Sequence, residues 1–324
     1  MAKLLLVVCM VLACQLTPGY AASNANNPCS AMKDSIQRLA CYDQWSNQAV
    51  ATEFDIETDA PFRERVNKEK ELSIIGDFVI VPHRPTYIMP ISYVRDINTE
   101  PLREFFGDKV DQVQNVEAKF QLSFKVPILH KVGSENISLW FAYTQLSLWQ
   151  VYNRDVSSPF RETNYEPELM LVFDTDFKLF GMNNTFFILG LAHQSNGQSD
   201  PLSRSWNRLY ASFVLEHRNI VMYVKPWLRL PEISEEDNPD IDEYLGHGEL
   251  SLYYKKNDKT TGLRLWNNFE SSSNHTSVQL DWNFPIASGF KGYIQLFNGY
   301  GETLLDYDYR TKRIGFGIML SDWF

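Results

Sequence analysis

From about residue 86 to the end of the chain, apolar and polar residues alternate in segments of about ten residues, separated by turn-forming sequences. Strict alternation places every second side chain on the same face, so each segment predicts one β-strand. In "TFFILGLAHQS", for example, Phe187, Leu189 and Leu191 share one face. The predicted strands are 86–94, 117–128, 137–149, 167–177, 183–195, 205–217, 219–230, 248–256, 260–269, 276–284, 289–299 and 311–324.

The connections between these segments include short turns, such as "HRN" at 217, and longer polar loops, such as "PEISEEDNPDIDEYLGHG". An even strand number with alternating short and long connections is typical of a β-barrel that crosses an outer membrane. The chain ends in "IGFGIMLSDWF", and a terminal phenylalanine after alternating apolar residues is typical of such barrels in Gram-negative bacteria. We therefore predict an all-β fold, a twelve-stranded antiparallel transmembrane β-barrel over residues 85–324. A secreted β-sandwich is the alternative.

The chain begins with the pattern of a secretory signal peptide. Lys3 precedes an apolar stretch of about ten residues, and "YAAS" supplies small residues for cleavage near Ala22. This stretch is too short to span a bilayer, and no other stretch approaches about eighteen consecutive apolar residues. We predict a signal peptide over residues 1–22. A lipoprotein signal with Cys14 lipidated is the alternative.

Residues 23–84 predict a short, partly helical periplasmic extension. The segment "PFRERVNKEKELSII" is charged, so we expect the extension to have little hydrophobic core of its own. An earlier segment, "NPCSAMKDSIQRLACYDQW", has apolar residues at helical spacing: Met32, Ile36 and Leu39. Cys29 and Cys41 belong to an exported chain, where disulfides are permitted, and they predict a local disulfide.

Charge and composition narrow the choice of partners. The formal net charge is −10, with both signs spread evenly along the chain. This argues against a nucleic-acid partner, which requires a basic patch. Aromatic residues make up 14% of the chain, and in a barrel such residues can form girdles at the two membrane surfaces.

Three polar residues fall on the lipid-facing wall of the predicted barrel. His193 and Ser195 share the apolar face of their strand, and Asn207 shares the apolar face of the next one. In an up-and-down barrel the apolar face meets lipid. If the connecting loop centres near Asp200, His193 and Asn207 fall opposite each other, with Cβ atoms about 5 Å apart. With both chain ends in the periplasm, this loop (196–204) faces the cell exterior.

Serine, histidine and an orienting amide are the parts of an activated nucleophile. His193 would take the proton from Ser195 as the hydroxyl attacks an ester carbonyl, and Asn207 would accept a hydrogen bond from the other ring nitrogen. A neutral amide costs less to desolvate beside lipid than a carboxylate does. Because ester bonds lie at the headgroup level, this position favours lipolysis. The alternative is that the three residues are interfacial or turn residues without chemistry.

The other five histidines have no such constellation, and we interpret them as structural: His83, His130, His217, His247 and His275.

The stretch "HQSNGQSDPLSRSWNRLY" at 193–210 resembles the signature of the outer membrane phospholipase A family. In that family a histidine, a serine two residues on and an asparagine in "RSWNR" form the catalytic triad. "SSPFRETNYEP" at 157–167, "NPDI" at 238–241 and "NGYGETLLDY" at 298–307 also look like that family. The likeness covers about 85–324 and leaves out the N-terminal extension.

The resemblance implies an outer-membrane barrel that hydrolyses phospholipid acyl esters, requires calcium and is active as a dimer. By position, Ser195 would be the nucleophile, His193 the base and Asn207 its orienter, while the amide of Gly197 would help to bind the oxyanion. The implied calcium ligands are Ser157, the carbonyl of Gln198, Asp200 and Ser203.

The chemistry of this set suits calcium, because hydroxyl, carboxylate and carbonyl oxygens are hard ligands. An ion beside the oxyanion would stabilise developing negative charge. Gln198 stands where the family commonly has arginine, but a carbonyl ligand does not depend on the side chain.

Gln145 interrupts a lipid-facing row between Tyr143 and Ser147. An amide in hydrocarbon needs a partner, and its counterpart on a second barrel could supply one. The resemblance implies a homodimer interface at this glutamine, with apolar neighbours such as Leu122. The alternative is an amide near the headgroups with no role in dimerisation.

We therefore predict a calcium-dependent outer membrane phospholipase, of the A1/A2 and lysophospholipase type, with its active site near the outer leaflet. Two alternatives remain: a channel, and a catalytically inactive barrel such as an adhesin. About twelve strands enclose only a narrow lumen, and Arg208, Tyr210 and Glu216 would fill much of it.

Overall fold

The structure, a computed structural model, describes residues 34, 35, 37, 38, 41, 61–75 and 79–322, apart from 104–106, 135, 158, 233–236, 288 and 289. The predicted signal peptide, Cys29 and the apolar residues Met32, Ile36 and Leu39 lie outside this set. Cys41 is helical and disulfide-bonded. The contacts divide the chain into two compact units, Met1–Glu57 and Thr58–Phe324.

The second unit is a closed barrel of twelve antiparallel strands, β2 to β13, with a two-residue strand, β1, paired to β3. This confirms the predicted fold class. The strands are β1 Val81–Pro82, β2 Thr86–Val94, β3 Val116–Leu129, β4 Ile137–Trp149, β5 Phe160–Leu179, β6 Met182–Ser195, β7 Ser205–His217, β8 Ile220–Leu230, β9 Gly248–Lys256, β10 Lys259–Asn267, β11 Thr276–Ala287, β12 Phe290–Gly299 and β13 Thr311–Ser321.

The barrel closes because β13 pairs with β2 and every other strand pairs with its neighbours in the chain. Closure leaves the backbone of the twelve strands without a free edge, which hydrocarbon requires. Residues of the predicted lipid-facing face are exposed on the outside, such as Leu189, Leu191 and Leu209. Near the end opposite the predicted triad, the rings of Phe173, Phe187 and Phe213 form a row with centroids 5.6 and 5.0 Å apart.

The lumen contains several buried pairs of opposite charges. Arg161 donates hydrogen bonds to Glu117 and Asp306, each at 3.0 Å, and Arg313 donates to Glu302 at 2.7 Å. All five side chains are buried. Removing a charge from water is unfavourable, and the attraction between the paired charges offsets this desolvation cost. The cavities in the lumen include two of about 130 Å³ each, and the residues that line both include Arg84, Lys225, Glu249 and Arg264.

The three residues predicted to fill the lumen are buried: Arg208, Tyr210 and Glu216. Arg208 donates to Glu166 at 2.7 Å. A lumen crossed by such ion pairs does not favour the channel alternative.

Helix α1, Pro61–Ile75, is held against the inside of the barrel. The backbone amides of Phe62 and Arg63 donate to the two carboxylate oxygens of Glu216, at 2.6 and 3.1 Å. Phe62 and Val66 are buried in the same cluster as Phe186. The segment therefore shares the core of the barrel, and it belongs to the compact unit that begins at Thr58.

Two further helices with described bounds are short: a 3-10 helix at Gly107–Gln112 and α2 at Ile241–Leu245. None of the described helices is long and apolar enough to cross a membrane. The connections 95–115, 150–159, 196–204, 231–247, 268–275 and 300–310 lie at one end of the barrel and are longer than most at the other end. In barrels of this kind the longer loops face the cell exterior.

Candidate active site

Strands β6 and β7 form the hairpin that carries the predicted triad. His193 lies directly opposite Asn207, and Ser195 lies opposite Ser205, which confirms the predicted register. His193 Nδ1 and Asn207 Oδ1 are 2.9 Å apart. Because an amide oxygen only accepts, Nδ1 carries the proton of this hydrogen bond and the Nε2 lone pair is left available as a base.

Ser195 lies two residues beyond His193 on the same outward face of β6. Its side chain is half-buried, whereas His193 is exposed. The contacts of the described residues include no hydrogen bond between the two side chains. The structure thus joins His193 to Asn207 directly and places Ser195 next to them on the wall.

The loop 196–204 is closed by Asn196, a residue that the sequence reasoning did not select. Its side-chain oxygen accepts from the amides of Gln198 and Arg204, at 3.3 and 3.0 Å, and its amide nitrogen donates to the carbonyl of Leu202 at 2.8 Å. Asn196 is only 2% exposed. The "SNG" sequence was the available signal, since asparagine before glycine commonly organises a turn in this way.

Gly197 sits in the left-handed backbone region, with φ of +64°. A Cβ added there would stand 3.2 Å from Cε2 of Tyr165. Tyr165 lies opposite Ser195 in the pairing of β5 with β6. Glycine therefore allows the loop to pass close to this ring beside Ser195.

Three of the four predicted calcium ligands share this loop. Gln198 and Asp200 are exposed, and the hydroxyl of Ser203 donates to Oδ2 of Asp237 at 2.6 Å. Ser157 lies on the separate loop 150–159, and no contact of the described residues joins it to the loop 196–204. Over the described part of the chain, no group of three or more His, Cys, Asp or Glu side chains forms a metal-binding cluster.

The acidic loop that connects β8 with β9 contributes three residues to which the sequence assigns no role in the site. Besides Asp237, Asn238 accepts from the backbone amide of Ser205 at 3.0 Å, and Glu232 accepts from the Ser205 hydroxyl at 3.1 Å. These three contacts join residues more than 25 positions apart in the sequence. The spacing of residues along the chain does not predict contacts over such separations. Only "NPDI", through the family resemblance, marked part of this loop.

Residues 238–240 of the acidic loop are held by hydrogen bonds from two sides. Arg229 donates to the carbonyls of Asn238 and Pro239, at 3.0 and 2.6 Å. Tyr307 donates to Asp240 at 2.6 Å, and burial, together with this hydrogen bond, raises the pKa of the Tyr307 hydroxyl. The groups around Ser203 and Ser205 are therefore set on an ordered scaffold.

Gln145 lies on the outward face of β4, opposite Leu122 of β3 and Tyr165 of β5. Its side chain accepts from the hydroxyl of Tyr143 and donates to Ser147, both at 3.2 Å. Leu122 is 46% exposed. Tyr143, Gln145 and Ser147 thus form a short line of hydrogen-bonded polar side chains along β4 on the apolar wall. Strand β4 is next to β5, which pairs with the strand of Ser195.

A closed barrel with an apolar outer band, long loops at one end and a histidine–amide pair at the rim defines an outer-membrane protein with a surface site at the level of lipid headgroups. The phospholipase A1 family profile matches residues 62–320. The chain belongs to the phospholipase A1 family, and it is a phospholipase of the bacterial outer membrane.

Individual relatives agree with this assignment. The chain is 38% identical to the phospholipase A1 of Klebsiella pneumoniae over 250 residues, which cover 76% of this chain and 84% of that protein. The structure of the outer membrane phospholipase A of Escherichia coli matches with a TM-score of 0.72 at 37% identity, over 76% of this chain and 100% of that one. The Salmonella typhi outer membrane phospholipase, solved as a dimer with bound calcium, matches with a TM-score of 0.73 at 35% identity, over 79% and 98%.

Proposed function

We propose that the chain hydrolyses phospholipid acyl esters through an acyl-Ser195 intermediate, with calcium as cofactor and a homodimer as the active form. The hydrogen bond between His193 and Asn207 carries this proposal. It fixes the tautomer in which Nε2 is a base, on the face that also holds Ser195. The family assignment supplies the substrate class.

In the acylation step, Ser195 Oγ attacks the ester carbonyl carbon and its proton passes to Nε2 of His193. The backbone N–H of Gly197 donates a hydrogen bond to the oxyanion that forms. The imidazolium then protonates the departing lysophospholipid oxygen as the ester bond breaks. Water repeats the sequence on the acyl-enzyme and releases a fatty acid. Asn207 accepts from Nδ1–H throughout and stabilises the positive charge on the ring.

The residues present fit a calcium ion. Asp200 supplies a carboxylate, Ser203 and Ser157 supply hydroxyls and Gln198 supplies a carbonyl, all of them hard oxygen donors. Asp237, 2.6 Å from Ser203, adds a second carboxylate to the same region. When bound by these residues, calcium would supply positive charge that stabilises the oxyanion. Calcium is bound in the Salmonella typhi relative, which has comparable architecture.

A homodimer would account for two features, one on the lipid-facing wall and one in the loops. The amide of Gln145 stands in an otherwise apolar surface that includes Leu122, where an amide on a second barrel can satisfy its remaining hydrogen-bonding capacity. Ser157 also lies on a different loop from the other calcium ligands, so a second copy could bring its own Ser157 to this loop. The Salmonella typhi relative was solved as a dimer.

Replacing Asn207 with alanine tests the role of the amide. Loss of a hydrogen bond to a charged imidazolium costs about 1.5–3 kcal/mol, so kcat is expected to fall roughly 10-fold to 100-fold with little change in KM. Initial rates on a phospholipid in mixed micelles with calcium measure this. Asn267→Ala, a change of the same type at the rim on β10, is the control. An unchanged kcat for Asn207→Ala would contradict the proposed orienting role.

Replacing Gln145 with alanine tests the dimer. Hydrogen bonds between transmembrane helices contribute about 0.6–2 kcal/mol, and with a similar contribution here the dimer dissociation constant is expected to rise several-fold, with activity falling in parallel. Analytical ultracentrifugation in detergent gives the dimer fraction. Thr261→Ala, on the outward face of β10, is the matched control because Thr261 is also exposed on the wall. Loss of activity at an unchanged dimer fraction would count against this interface.

A further inference from the structure

Three cationic side chains stand at the extracellular rim of the barrel, on the sector made by β12, β13 and β2. Arg95 directly follows β2, Lys312 is the second residue of β13, and Arg310 immediately precedes β13. All three are exposed. Their concentration is unexpected for a chain whose formal net charge is −10.

Strand pairing aligns these residues with the lipid-facing wall. Lys312 lies opposite Asn298 of β12, and the amide of Arg95 donates to the carbonyl of Lys312 at 3.0 Å. Arg95, Lys312 and Asn298 therefore form one row across three strands. The outward row two residues nearer the membrane centre is apolar and in register with it: Tyr93, Ile314 and Leu296. The two rows are separated by roughly 7 Å along the strands.

The third cation reaches the same row. Arg310 Nε donates to Oδ1 of Asn298 at 3.3 Å, so its guanidinium lies beside the row. The nearest acidic partner of Arg95 is Asp96, at 3.7 Å, in a pair with side chains 67% and 71% exposed. Such exposed pairs contribute little and leave the cation open to other anions. Asp308, two residues before Arg310, is also an exposed acid.

At two other sectors of the rim, the corresponding wall positions carry no charge. The terminal pair of β10 and β11 is Asn267 with Thr276, both uncharged. On β4 and β5 the corresponding wall positions carry Trp149 and Phe160, which are stacked with centroids 5.3 Å apart. The three cations thus distinguish this sector from those two, and around the ring of strands it lies away from the β6–β7 hairpin.

We propose that this rim sector, defined by Arg95, Arg310 and Lys312, binds the phosphate group of an anionic lipid in the outer leaflet. Guanidinium and ammonium groups are suited to phosphate oxygens, and arginine can bind them bidentately. The acyl chains of the same lipid would lie on the apolar row beneath. The cationic row would then bind the phosphate, and the apolar row beneath it would contact the acyl chains of the same lipid. This site is independent of the triad and holds a bound lipid rather than a substrate.

The test is a lipid-binding titration of the full chain in detergent. The probe is an ether-linked dialkyl phosphatidic acid, which has a phosphate monoester but no ester bond for the enzyme to hydrolyse. Dialkyl phosphatidylcholine and inorganic phosphate are the comparison ligands. The rim variant combines Arg95→Gln, Arg310→Gln and Lys312→Gln. The control variant combines Lys178→Gln, Lys256→Gln and Lys259→Gln, which removes the same charge at exposed positions near the opposite end of the barrel.

The unaltered chain and the control variant are expected to bind the dialkyl phosphatidic acid at least about tenfold more tightly than the phosphatidylcholine, since each basic residue near an anionic lipid surface contributes about fivefold. The rim variant is expected to lose this preference and to retain its hydrolysis rate on micelles, which also reports that it is folded. Equal affinity of the rim variant and the unaltered chain would overturn the proposal. So would inorganic phosphate binding as tightly as the lipid, because the site would then recognise the free anion.

Discussion

Ser195→Ala is expected to lower the turnover of phospholipid by roughly a thousandfold or more. The reason is that removing the nucleophile of a serine hydrolase removes the covalent pathway and leaves only binding and oxyanion stabilisation. The substitution deletes one half-buried hydroxyl on the outer wall, so the barrel and the His193–Asn207 hydrogen bond should persist. Initial rates on phospholipid micelles with calcium, at matched protein concentration, measure the effect.

Ser205→Ala is the matched control for this change. Ser205 lies directly opposite Ser195 across the hairpin, and its hydroxyl donates to Glu232 rather than taking part in the proposed chemistry. We expect this variant to retain most of the activity. Equal turnover by Ser195→Ala and the unaltered chain would exclude the proposed mechanism. No turnover by any form, with or without calcium, would favour the inactive barrel, an adhesin or a channel.

Removal of calcium by a chelator is expected to lower hydrolysis about a hundredfold or more, because in the proposed mechanism the ion would stabilise the oxyanion. Added calcium should restore the rate. Magnesium should restore it poorly, because it demands octahedral geometry and releases its waters reluctantly. The measurement is the initial rate across a series of buffered free-calcium concentrations.

Asp200→Asn sharpens this test by removing one negative charge from the loop 196–204. The variant should need a higher calcium concentration for half-maximal activity, while the rate at saturating calcium falls less. Asp258→Asn, an exposed acid in the turn between β9 and β10, is the control. A calcium response that is the same in Asp200→Asn and the unaltered chain would remove Asp200 from the proposed ligand set.

The sequence predicts strand boundaries best where one face of the strand meets hydrocarbon, because apolar and polar residues alternate there. Strand β2 was predicted as 86–94, and Thr86–Val94 is the observed strand. Strand β5 begins at Phe160 rather than at 167. At the loop end of β5, apolar and polar residues do not alternate clearly in the sequence. The reason is that polar Thr163 faces outward, while Arg161 and other charged residues face the lumen. Near the rim, polar residues can stand on both faces, so the pattern weakens where the loops begin.

Contacts between distant segments were not predictable from spacing. Phe62 and Val66 lie four residues apart, as helical residues on one face do, yet nothing local shows that Glu216 accepts from the start of that helix. The hydrogen bond from Ser203 to Asp237 likewise joins two loops. By contrast, the His193–Asn207 pair followed from alternation and hairpin register alone, because both residues belong to one local hairpin.

The most direct test of the central claim is covalent labelling with a long-chain alkyl sulfonyl fluoride, which reacts with an activated serine. Peptide mass spectrometry would locate the adduct, with calcium and with a chelator, in the unaltered chain and in His193→Ala. Our account predicts a single adduct on Ser195 that forms with calcium, forms far more slowly with the chelator and is lost in His193→Ala. Labelling at another residue, or labelling of Ser195 that is indifferent to both calcium and His193, would contradict it.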